Sequence, residues 1–208
     1  ILDVRGETPL FNAAEKRDGY QSPHPDNKMA VAMALVELIE MIGEFEKPRY
    51  IDYDSTICAH SASRIKGCTR CIDVCPTSAI ESNQDTINFD PYVCAGCGNC
   101  ASVCPTGAAR YTLPSSDDLM FRLRTLLNSY RRADGVNPQI LIYDNNWGIE
   151  IIAAIARFGP GLPSNMIPLR VNQVSMIGLD FVLTAAALGA ERTIVLMPPS
   201  KSDELLKF

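Results

Sequence analysis

Outside residues 58–104 the chain contains no cysteine, although eight fall inside that segment. A secreted protein braced by disulfides is usually short and spreads its cysteines over the fold, so this crowding argues against a disulfide framework and for metal ligation in a reducing cytoplasm. Long apolar runs are also lacking. The most apolar stretch, residues 29–42, is interrupted by Glu37 and Glu40. A span needs about 20 apolar residues, so this stretch is expected to be a helix covered on most sides, with its methionines as core filler. Basic excess is missing: the net charge is -5 and the pI near 5.1. Nucleic-acid binders need a basic stripe to displace counterions, so that role is not expected. The composition, 47% hydrophobic and 21% charged, is that of an ordinary globular protein rather than a disordered one. No initiator Met precedes Ile1, no signal-peptide pattern follows it, and residues 200–208 read as a helix barely begun. The expectation is a piece of a longer chain.

What the chain does have is a repeat. Cys68-Thr69-Arg70-Cys71-Ile72-Asp73-Val74-Cys75-Pro76-Thr77 aligns without a gap with Cys97-Gly98-Asn99-Cys100-Ala101-Ser102-Val103-Cys104-Pro105-Thr106. Cys94 completes the second copy as Cys-x2-Cys-x2-Cys-x3-Cys-Pro. In the first copy the matching residue is Cys58, set back by an insertion, residues 59–67. A cubane cluster offers four iron corners, each taking one thiolate. Cysteines three apart on a tight loop reach three corners, and the fourth, at the start of a short helix, ligates the other cluster. Pro76 and Pro105 sit early in those helices, where a missing N–H costs little. By this spacing one [4Fe–4S] cluster takes Cys58, Cys68, Cys71 and Cys104, and a second takes Cys94, Cys97, Cys100 and Cys75. Structural zinc uses two separated cysteine pairs rather than triplets followed by proline.

Residues 49–113 thus resemble a bacterial-type two-cluster ferredoxin. The resemblance implies a pseudo-two-fold unit with two short hairpins and two short helices, in which residues 49–52 pair with 109–113. The insertion is a departure from the pattern. It leaves open whether Cys58 is a ligand or whether the first cluster is [3Fe–4S] or has an open iron. Within the insertion His60 is read as a surface-loop histidine. Arg64, Lys66 and Arg70 form a small basic group, read as a solvated face with guidance of an acidic partner as the alternative. His24, between two prolines, is expected to be exposed.

The remaining segments read as follows. Residues 1–48 are an irregular stretch and a helix capped at Asp26 or Asn27. Residues 49–114 are the two-cluster unit. Residues 115–135 are a connecting helix, with a capping box at Ser115 and Asp118, acidic residues in the first turn, Arg131 and Arg132 in the last and Gly135 as C-cap. Residues 136–208 are a small, incomplete α/β domain. Strands at 139–143, 166–170 and 193–197 alternate with helices at 148–158 and 175–188, the second capped by Ser175, which predicts a parallel sheet. The fold class is therefore an α+β ferredoxin-like module joined to a small α/β domain.

The α/β segment resembles the delta subunit of methyl-viologen-reducing hydrogenases, through Tyr143-Asp144-Asn145-Asn146-Trp147, the strand ending at Arg170 and Gly189-Ala190. That family holds a further cluster on cysteines here, whereas this chain has none after Cys104. What the resemblance leaves is a docking role. Gly159-Pro160-Gly161 follows a helix rather than a strand, so it is no dinucleotide fingerprint. Trp147, Arg170, Asn172 and Gln173 sit near strand carboxyl ends, where packing and capping is the preferred reading. No nucleophile–base pair or paired carboxylates call for catalysis. The expectation is a non-catalytic electron-transfer module of a larger redox protein or complex, working with a redox partner protein or other domains of the parent chain. The alternatives are an oxidoreductase subunit with a substrate or flavin site in the α/β domain, and a redox- or oxygen-sensing regulator.

Overall fold

The computed structural model describes residues 1–10, 17–62 and 67–199. Arg64 and Lys66 of the expected basic group, and the helix expected at 200–208, lie outside the described residues.

The cysteine-bearing unit is built twice. Strand β1 (Ile51–Tyr53) leads to Cys58, helix α2 (Arg70–Asp73) carries Cys71, and β2 (Ile80–Asn83) follows. Strand β3 (Thr86–Phe89) leads to Cys94, α3 (Asn99–Ser102) carries Cys100, and β4 (Ala109–Tyr111) follows. The two copies are laced together by antiparallel pairing of β1 with β4 and of β2 with β3. Ile51 stands opposite Tyr111 and Tyr53 opposite Ala109; the resemblance implied this pairing, but the first strand starts two residues later and ends one later than expected, and the second ends two earlier. Ile51, Ile80, Ile87, Ala109 and Tyr111 point inward and form the floor of this unit.

Helix α4 (Ser116–Arg132) joins this unit to the rest. The Ser115 hydroxyl accepts from the Asp118 N–H at 3.1 Å and donates to the Asp118 carboxylate at 2.7 Å. Leu119, Leu123 and Leu127 form its buried stripe. The helix ends differently from the expectation. Asp134, not Gly135, takes the left-handed conformation, with φ 58°. Gly135 serves a close approach instead: a Cβ there would stand 2.3 Å from the Tyr130 ring.

Beyond α4, strands β5 (Gln139–Tyr143), β6 (Met166–Arg170) and β7 (Arg192–Val195) form a parallel sheet in the order β6-β5-β7. Central β5 buries Ile140, Leu141 and Ile142, as a strand covered on both faces should. Helices α5 (Trp147–Phe158) and α6 (Leu179–Ala187) complete the crossovers. The α5 start is held by Asp144, whose buried carboxylate accepts from the Gly148 and Asn146 N–H groups at 2.7 and 3.1 Å, so neither asparagine supplies the cap. Nor does Ser175 cap the last helix. It lies in a separate 3-10 turn, Val174–Met176, and α6 begins only at Leu179. The reason is that the Ser175 hydroxyl is committed elsewhere, as described below.

Helix α1 (Lys28–Glu40) starts at Asn27, whose side chain accepts from Ala30 N–H. Contrary to expectation it is poorly covered: only Ala34 is buried, while Met29 is 70% and Ile39 63% exposed. Its wide apolar face therefore does not find enough partner surface among the described residues of this chain. No helix among the described residues is long and apolar enough to cross a membrane.

Leu123 has no solvent exposure. Leu123→Ala is expected to destabilise the fold by about 2–5 kcal/mol in chemical denaturation. On the same helix Phe121→Ala, at a 71% exposed position, should stay within about 0.5 kcal/mol of the parent.

Candidate metal centre

The eight cysteines form no disulfides. They surround two cavities. The first, about 330 Å³ counted to its open mouth, is lined by Cys58, Cys68, Cys71 and Cys104, with Tyr53 and Phe89 among its walls. The second, about 730 Å³ on the same measure, is lined by Cys75, Cys94, Cys97 and Cys100, with Tyr50, Ile51 and Ile80. Each cavity thus takes three cysteines from one copy of the repeat and the fourth from the other. The strand lacing explains this: each copy's last cysteine follows its short helix, and the helices α2 and α3 lie side by side. Among the described residues no three His, Cys, Asp or Glu side chains converge on a point that one metal ion would occupy. The thiols stand around voids instead.

The electrostatics follow the same grouping except that Cys71 also acts on Cys100. Burial pushes the Cys71 thiol up to about 11, helped by charge on Cys104, Cys58 and Cys68. Burial raises Cys100 well above the usual thiol range, helped by Cys97, Cys94, Cys75 and Cys71. Burial also raises Cys94, against a hydrogen bond from the Gly96 N–H. Several thiolates cannot share such a space without a cation to offset them.

Other contacts prepare the sulfurs for negative charge. For Cys58 the raising effect of burial is outweighed by the Tyr53 hydroxyl and the Ser61 and His60 N–H groups, so its thiol is lowered. For Cys104 burial is likewise outweighed, by the Ala109, Thr106 and Ala108 N–H groups and the Thr106 hydroxyl. Tyr53 itself is pushed up to about 12, by burial first and the Cys58 contact second, and so remains a protonated donor. The last cysteine of each copy accepts from a nearby alanine: Ala79 N–H donates to Cys75 Sγ at 3.2 Å, and Ala109 N–H, one position further on, to Cys104 Sγ at 3.5 Å. Thr77 and Thr106 hydroxyls each lie 3.8 Å from the same sulfurs. These threonines were not singled out from sequence, although the Cys-Pro-Thr triplet shared by both copies was the available signal.

His60 is the main correction to the sequence reading. It is not a surface residue but has no solvent exposure at all. His60 Nδ1 lies 3.1 Å from the Cys68 carbonyl, and its Nε2 lies 3.2 Å from the Ser82 hydroxyl and 3.3 Å from the Gln84 carbonyl. It fastens the β2–β3 turn to the chain at Cys68. His24 is exposed, as expected.

The α/β unit reaches the second cavity's loop. Ser175 donates to the Cys97 carbonyl at 2.6 Å, and Asn172 donates to the Tyr111 hydroxyl at 2.6 Å, which donates to the Gly96 carbonyl at 2.7 Å. Gly98, with φ +83°, meets Met176, where a Cβ would lie 2.6 Å from the methionine Cβ. Of the strand-end residues named from sequence, Asn172 joins this contact, Arg170 is exposed and Trp147 is half-buried. On the other side, Arg17 donates twice to the Thr77 carbonyl, at 2.8 and 3.0 Å.

A family model described as a 4Fe-4S dicluster domain matches residues 64–108. The match takes in seven of the cysteines and leaves out Cys58. No curated protein matches the chain. No solved structure matches it either. The match supports iron–sulfur cluster binding by this segment and a role in electron transfer.

Thiols raised in the folded, metal-free chain make its stability fall with alkali, because the unfolded chain gives up its protons first. With Cys71 moved from 9.0 to about 11, its share of this loss falls between about pH 9 and pH 11, whereas the lowered Cys58 and Cys104 act in the opposite sense below pH 9. Denaturation midpoints of the reduced, metal-free protein should decline across that window. Cys71→Ser should flatten the decline; an unchanged slope would contradict the assigned cause.

Proposed function

We propose that the chain is an electron-transfer module holding two [4Fe–4S] clusters, one in each cysteine-lined cavity. The observation that carries this reading is the crossed grouping itself. Cys58, Cys68, Cys71 and Cys104 line one void and Cys75, Cys94, Cys97 and Cys100 the other, which is the arrangement a two-cluster motif demands. Thiols spread around a cavity suit a multi-iron cluster better than a single tetrahedral ion, whose sulfurs must stand about 2.3 Å from one point.

When bound, each cluster supplies the capacity to take up and release one electron. The protein's own residues do the rest. The cysteines supply thiolates, with Cys58 as the fourth ligand of its site despite the insertion. The N–H groups of Ala79, Ala109 and Gly96 and the hydroxyls of Thr77, Thr106 and Tyr53 offer hydrogen bonds to sulfur, which stabilise added negative charge. Tyr50, Ile51, Ile80 and Phe89 exclude water from the cavity walls. The partner is a redox protein or another part of the parent chain. The exposed apolar residues of α1, and Leu179 and Leu183 on α6, suit such docking. Among the described residues of the α/β unit no acid–base or nucleophile pair supports a catalytic reading.

Anaerobic purification should yield about eight irons and about eight labile sulfides per chain. Zinc without sulfide would overturn the reading. The crossed grouping has its own test by EPR of the reduced protein. Cys75→Ser and Cys97→Ser, from different copies of the repeat, should disturb one signal; Cys71→Ser and Cys104→Ser should disturb the other. Cys58→Ser should disturb the second of these signals.

A further inference from the structure

Two hydrogen bonds from side chains outside the second cavity end on carbonyls of its cysteine loop, and a third, from Asn172, backs one of those donors. Ser175 holds the Cys97 carbonyl, and Asn172 holds the Gly96 carbonyl through Tyr111. Ser175 and Tyr111 are themselves buried, at 5% and 2% exposure, so these bonds do not compete with bulk water. None of the three residues lines the cavity, whereas Cys97 and Gly98 do.

The geometry of the peptide unit gives these bonds a consequence. The cis bond of the described chain lies elsewhere, at Leu113-Pro114, so the units joining Gly96 to Cys97 and Cys97 to Gly98 are trans. In a trans peptide the carbonyl and the N–H point to opposite sides of the chain. With the two carbonyls held toward Tyr111 and Ser175, the Cys97 and Gly98 N–H groups face the opposite way, and both residues line the cavity. The same loop already sends one N–H to a sulfur, from Gly96 to Cys94 at 3.4 Å. Gly98 cannot relax away easily, because Met176 packs against its Cα.

We infer that Ser175 and Asn172 are positioning residues through which the α/β unit sets the reduction potential of the second site, and of that site alone. This inference rests on the cluster reading above. Peptide N–H dipoles aimed at the sulfurs favour the reduced, more negative form. Releasing a carbonyl frees its peptide to turn and weakens that preference, so the potential falls. At the first site the comparable contact, onto the Cys68 carbonyl, comes from His60 of the cysteine-bearing unit itself. The α/β unit, without a cysteine of its own, thereby acts on electron flow from outside the metal centre.

The test is a redox titration of the iron-loaded protein followed by EPR, the second site being identified as the signal that Cys97→Ser disturbs. Ser175→Ala should lower that site's potential by up to tenfold in the one-electron equilibrium, about 59 mV, and leave the other site unmoved. Ser175→Thr, which keeps the hydroxyl, should restore the parent value, and Thr184→Ala, half-buried on α6, should change nothing. Asn172→Ala acts on the other carbonyl and should shift the same site in the same direction, which keeps the test open if Ser175→Ala loses iron. Full iron content with both potentials unchanged, or equal shifts at both sites, would overturn the inference. So would loss of iron from every one of these variants, since the contacts would then be structural only. A parent protein without about eight irons would instead defeat the cluster reading, and this inference with it.

Discussion

Crowding eight thiols into two quartets is the constraint on which the rest of the structure turns. A buried thiol is a weak hydrogen-bonding group, and a buried thiolate beside three others is strongly repelled. Burial raises Cys71, Cys94 and Cys100, while the surrounding N–H and hydroxyl groups lower Cys58 and Cys104. The site is thus part-way prepared for negative charge, and bound cations would complete it. The unit's other sources of stability are modest. Its four strands are three or four residues long, and its two helices are single turns. Elements so short do not persist by themselves. Ligands donated by each copy of the repeat to both sites would staple the two copies together, as metals do in other small units.

The flanking segments treat the two sites differently. The second loop is pressed from one side by the turn Val174–Met176, and Arg17 holds the Thr77 carbonyl beside it from the other. The first site is served by the insertion, where His60 ties the β2–β3 turn to the Cys68 carbonyl. Two pseudo-equivalent sites therefore sit in unequal surroundings. Such inequality gives two centres of the same composition different hydrogen bonding and different access to water, both of which bear on potential.

Much of this was legible in the sequence. The cysteine spacing pointed to the crossed quartets that line the two cavities, because a backbone loop of fixed length reaches only certain corners. The three parallel strands and α4 were readable from apolar patterning and from the cap at Ser115. The misses share a cause. His60, Ser175 and Gly135 were assigned by local habit, as loop histidine, helix cap and C-cap, but each is held by residues far along the chain or by a bulky ring. Helix α1 was expected to be covered, yet among the described residues it is not, since the width of an apolar face says that a partner is needed but not where it lies.

The sequence by itself determined which cysteines line each of the two cavities and how the two copies of the repeat share them, because that follows from spacing along a short chain. It also determined that the last third forms a parallel sheet, because buried strands and covering helices have distinct periods. Only the tertiary structure decided where the α/β unit meets the loop of the second cavity. The bonds from Ser175 to Cys97 and from Asn172 through Tyr111 to Gly96 join residues 61 to 78 positions apart. Contacts of that separation depend on how two folded units pack, and no local pattern of residue types records it.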